Sequence, residues 1–84
     1  MTTAMNIDAR PLKVLTAAAV KARDALGLIY LPVVVRDEAA AFRLATATRA
    51  RALAVMLGDG AFWVVCLADA TRLERAGYEW APRA

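Results

Sequence analysis

Two apolar runs, "ALAVML" (52–57) and "AFWVVCL" (61–67), stand either side of the tripeptide Gly58-Asp59-Gly60. Glycine and aspartate tolerate the positive φ that tight hairpin turns demand, so this spacing predicts an antiparallel β-hairpin. The competing reading is a single helix from 38 to 57 ended by Gly58. The hairpin is preferred because the 3.6-residue period fades after Arg51. Neither parity of the second run is polar: Phe62, Val64 and Cys66 alternate with Trp63, Val65 and Leu67. A strand apolar at both parities has to be covered on both faces, by helices of the same chain or by another chain. That requirement governs everything else the sequence can build.

The flanking segments supply candidate covers. From Pro11, the residues Leu12, Leu15, Ala19, Ala22 and Leu26 recur at helical spacing and form one stripe, with Gly27 placed to stop the helix. "LIYLPVVVR" (28–36) reads as a strand, and Pro32, having no donor N–H, favours an edge or a bulge. "RDEAAAFRLATATRA" (36–50) reads as a second helix capped by Asp37, with Glu38 beside the positive end of its dipole. On its wheel Ala40, Ala41, Leu44, Ala47 and Thr48 share one face, and Phe42 points nearly the opposite way among Glu38, Thr46 and Arg49. "DATRLERAG" (69–77) reads as a short helix capped by Asp69, and "YEW" (78–80) as a closing strand with Tyr78 and Trp80 on one side. Residues 1–8 show no apolar period and are expected to be disordered.

The expectation is one α+β domain over residues 1–84, in the order α-β-α-β-β-α-(β). It has a three- to four-stranded, mainly antiparallel sheet with the helices packed mainly on one face. From residue 28 onward the βαββαβ order resembles that of ferredoxin-like and SPOR-type folds. SPOR domains bind peptidoglycan after export; no export segment is expected here, so the resemblance is taken for topology and not for that function.

Composition narrows the chemistry. Hydrophobic residues make up 61% of the chain, but 21 of its 84 residues are alanine, so large apolar side chains are scarce. A core so supplied invites a partner or a second copy. There is no histidine and no serine, which removes triads built on an imidazole base and most zinc sites. The single cysteine, Cys66, can form neither an internal disulfide nor a CxxC pair, and cytoplasmic residence is the natural reading. The longest uncharged run, residues 25–35, is too short to cross a membrane and contains a proline. No catalytic, cofactor-binding or metal-binding residues are expected. Asp37-Glu38 suits a helix start better than an acid pair, and "GDG" lacks phosphate-loop or EF-hand spacing.

The candidate contacts are therefore surfaces. The net charge is +3, and the basic residues concentrate before residue 52. Phe42, Arg43, Thr46 and Arg49 on the second helix form the candidate partner-binding surface, with arginine and an aromatic side by side as protein interfaces favour. Leu12, Leu15, Ala19, Phe62 and Val64 are the candidate homodimer interface. The expected function is a small non-enzymatic protein-binding module, homodimeric, whose partner is a host protein or ribonucleoprotein complex. In size class it is similar to the inhibitors of phages and mobile elements, anti-CRISPR proteins included. The alternative is a nucleic-acid-binding accessory protein using the basic first half.

Overall fold

A computed structural model describes residues 9–47 and 52–82. The elements run α1 (Leu12–Leu26), β1 (Val33–Val35), α2 (Glu38–Ala47), β2 (Leu53–Leu57), β3 (Phe62–Cys66), α3 (Leu67–Arg75) and β4 (Glu79–Trp80). The α+β class and the order α-β-α-β-β-α-β are those the sequence predicts. The segment expected to be disordered, 1–8, lies outside the described residues.

The hairpin is the centre of the sheet. β2 and β3 pair antiparallel from Leu53↔Cys66 to Leu57↔Phe62. The turn closes where the Gly58 N–H donates to the Ala61 carbonyl at 2.8 Å, with Gly60 at φ 85°. Gly58 is required for a different reason. A Cβ built there would lie 2.3 Å from the Trp63 indole, so the buried ring rests directly on backbone.

β1 pairs with β3 and β4 with β2, giving the order β1-β3-β2-β4, antiparallel throughout. β1 is thus an edge strand, the position Pro32 favours. The chain passes from β1 through α2 to β2, skipping over β3, and from β3 through α3 to β4, skipping over β2. Both crossovers step the same way across the sheet but start from strands running in opposite directions. Two crossovers of one hand must then pass over opposite faces.

The layering follows that rule and corrects the expectation that the helices lie mainly on one face. α1 and α3 cover the face presented by Val34, Ala54, Met56, Trp63 and Val65. α2 covers the other, presented by Val35, Leu53, Val55, Leu57, Phe62 and Val64. The likeness to ferredoxin-like and SPOR-type domains therefore rests on element order and does not extend to an arrangement with both helices together. The demand made by strands apolar at both parities is met within one chain.

Two boundaries differ from the sequence reading. α3 begins at Leu67, two residues before Asp69, so Asp69 sits in the first helical turn and is not the cap. The strand predicted over 28–36 is formed only at Val33–Val35. Residues 28–32 are a loop because their donors go elsewhere: the Ile29 and Tyr30 N–H groups donate to the Asp69 carboxylate at 2.8 and 3.0 Å, and Pro32 has none to give.

α1 docks through Leu15, Ala19 and Ala22, and Gly27 ends it in the left-handed conformation (φ 68°). α2 starts on Asp37, whose Oδ2 accepts the Ala40 N–H at 2.8 Å, the cap the sequence indicates.

Candidate interaction surface

α2 is rotated from its expected orientation. Ala41 is fully buried, and Phe42 and Ala45 pack with it against Val55, Val64 and Ala81. Leu44, placed by the wheel on the buried face, is 38% exposed. At 100° per residue this is roughly a quarter-turn about the helix axis. The rotation puts the larger aromatic group inward, which removes more apolar area from water than burying leucine and alanines would.

The candidate partner surface changes accordingly. Phe42, Arg43 and Thr46 do come together, lining a shallow depression with Ala39 and Ala47. Phe42 is half-buried in the core beneath α2, however, and is not a projecting contact. The Thr46 hydroxyl donates to the Phe42 carbonyl at 2.8 Å, a back-bond within its own helix. Arg43 is exposed, and Arg49 lies outside the described residues.

The candidate dimer interface is largely consumed by the monomer. Leu15 and Ala19 are fully buried between α1 and the sheet, and Val64 is buried beneath α2 with half-buried Phe62 beside it. A residue sealed inside one folded copy cannot form a seam with another. Of that set, only Leu12 is well exposed.

Three arginines of the basic first half are engaged with neighbouring groups of the same chain. The Arg36 guanidinium donates to the Arg10 carbonyl, and the Arg10 guanidinium donates to the Asp59 carbonyl at 3.0 Å. These arginines strap the start of α1 to the hairpin turn and the end of β1. Arg23 pairs with its neighbour Asp24 at 3.2 Å.

The most distinctive surface lies at the opposite end of the sheet from the hairpin turn. An apolar groove of about 330 Å³ opens between the 28–32 loop, β1, α2 and the far ends of β2 and β3. Tyr30, Leu31, Val33, Leu44, Leu53, Val64, Val65 and Cys66 line it, with no charged side chain among them. Its rim is unusually apolar for free surface: Ile29 is 54% exposed, Tyr30 51% and Val33 50%. Along the groove α2 is rich in alanine, and its rotation leaves Leu44 standing at the edge.

The loop carrying this rim is held from behind. Asp69, fully buried, accepts from Ile29 N through Oδ1 and from Tyr30 N through Oδ2, and Arg72 Nη1 approaches Oδ1 at 3.3 Å. A carboxylate taken wholly out of water is costly unless its oxygens are filled, and here three donors fill them. The latch fixes the backbone of residues whose side chains are half exposed to solvent. Sequence reasoning misses it because it joins positions 40 apart. The signal that is present is the bracketed run Gly27-LIYL-Pro32, too apolar for a surface loop and stopped by a proline.

Cys66 is half-buried, ends β3 at the groove and precedes the first residue of α3. Among the described residues, no three His, Cys, Asp or Glu side chains gather as a metal site would need, and no helix is long and apolar enough to cross a membrane. No family model, curated relative or solved structure matches this chain.

Proposed function

We propose that the protein is a non-enzymatic protein-binding module whose contact surface is the apolar groove and its rim. One observation carries this reading: a buried carboxylate, Asp69, is spent on holding a surface loop that displays Ile29, Tyr30 and Leu31 to solvent. Preorganised apolar side chains around a desolvated pocket are what concentrates binding energy at protein interfaces. A loop with no contact to make would gain by carrying polar residues there. The lack of histidine and serine, and the uncharged surroundings of Cys66 in the groove, support a reading without covalent or acid–base catalysis. Such a module would suit a stoichiometric inhibitor of a larger host complex.

Nucleic-acid binding through the first half is the weaker reading, because Arg10 and Arg36 place donors on backbone carbonyls and the groove carries no charge. The test is capture from nuclease-treated lysate at high salt by the wild-type chain and two variants, with quantitative mass spectrometry. A protein retained by wild type and by Arg43→Glu, but reduced at least about tenfold by Leu44→Glu, is the expected result. Retention that vanishes with nuclease and salt, or that follows Arg43 and ignores Leu44, sinks it.

A further inference from the structure

Resting on the reading of the groove as a protein contact, we propose that in the isolated protein its occupant is a second copy of this chain, joined about a two-fold axis. Three features of the patch favour that partner. The first is shape. A two-fold contact uses the same surface on both subunits, so that surface must hold a projection and a depression side by side. Here the projection is Ile29-Tyr30, more than half exposed and pinned by Asp69, and the depression is the groove next to it, lined by half-buried Leu53 and Cys66. Tyr30 of each copy enters the groove of the other beside Leu44.

The second is charge. Each chain carries +3, and two like-charged chains meet most readily through a surface with no charge of its own. The groove lining has none. A partner recruited by electrostatic steering would be met instead by charged residues around the pocket.

The third is area. The exposed parts of Ile29, Tyr30, Leu31, Val33 and Leu44 amount to on the order of 500 Å² per copy, which approaches the lower end of specific interfaces when doubled by symmetry. Interfaces at the low end of that range include weak, transient ones, so the test spans low to high concentration. β1 adds little through its open edge, since it is three residues long and preceded by Pro32, as blunted edges are. The joint is made by side chains.

Sedimentation equilibrium from about 1 to 300 µM tests this on the whole chain. The wild type is expected to pass from monomer to dimer across that range. Tyr30→Lys and Leu44→Glu, each checked for a native far-ultraviolet circular dichroism spectrum, are each expected to weaken the dimer at least about tenfold. An equimolar mixture of the two is expected to associate more tightly than either alone. It restores one native contact of Tyr30 with the groove, and in the other it sets the introduced lysine against the introduced glutamate. Should one variant fail to fold, Val33→Lys on the same rim replaces it. A wild-type monomer at every concentration overturns the proposal, as does a dimer that both variants leave intact or a mixture no tighter than its components. A monomer that still captures a different protein through Leu44 overturns the dimer while leaving the protein-binding function in place.

Discussion

The two faces of the sheet are built to different standards. Beneath α1 and α3 lie Leu15, Met56, Trp63 and Leu73, which are the largest fully buried apolar side chains of the described residues. Beneath α2 the only fully buried residue among those described is Ala41, and the cover depends on half-buried Phe42 and Ala45. One face is closed by two helices and the aromatic contact of Trp63 with Tyr78, centroids 5.3 Å apart. The other is closed by a single ten-residue helix that is half alanine. The thick face sets the stability of the domain; the thin one leaves room for a groove. A small chain with few large apolar residues cannot cover both sides equally, and the deficit becomes an exposed apolar groove.

Substitutions can break this contrast or sharpen it. The largest effect belongs to the thick face. Trp63→Ala empties the centre of the core and is expected to cost about 3–5 kcal/mol, enough to unfold a domain this small in urea titration. The indole Nε1 is buried without an acceptor among the described residues, which tempers the loss without reversing it. A Trp63→Ala protein as stable as wild type would mean that the first face is not the main core.

Next comes the latch between the faces. Asp69→Ala strands the Ile29 and Tyr30 N–H groups and is expected to cost about 2–4 kcal/mol. Hydrogen exchange locates the effect: those two amides should exchange much faster than those of β3. Unchanged protection at Ile29 and Tyr30 would show that the carboxylate does not hold the loop.

The smallest contrast lies within α2 and sharpens the comparison most. Phe42→Ala is expected to cost about 2 kcal/mol, since half-burial loses part of the full penalty, and Leu44→Ala under about 1 kcal/mol. Equal costs, or the reverse order, would put the helix back in the orientation its wheel suggests. The pair also separates packing from contact, because Leu44→Ala should weaken self-association while barely moving the thermal midpoint.

The wheel of α2 misleads for a reason that applies to any alanine-rich helix. With Ala39, Ala40, Ala41, Ala45 and Ala47 spread around the axis, the apolar stripe is broad and shallow, and one aromatic residue can turn the helix by its own burial. α1 has no such freedom. Its large residues Leu15 and Leu26 sit on one stripe with Ala19 and Ala22, and the structure uses that stripe, leaving Leu12 at the first turn in solvent. The dimer seam expected from the same residues is lost because a stripe that docks on the sheet is no longer a surface.

Local chemistry, legible in the sequence alone, determined the hairpin at Gly58–Gly60, the cap at Asp37, the stop at Gly27, the edge position of β1 after Pro32 and the need to cover the central strands twice. Each depends on residues within one turn or one strand of each other, where φ preference, missing donors and side-chain parity act directly. Only the tertiary structure decided that α2 and α3 lie on opposite faces, that Phe42 turns inward, that Asp69 reaches the 28–32 loop, and that a groove opens beside Leu44. Those outcomes depend on the direction in which crossovers step across the sheet and on which buried donors find which carboxylate. Neither is encoded within a short window of sequence, because both are settled by the competition of distant groups for the same apolar volume and the same hydrogen bonds.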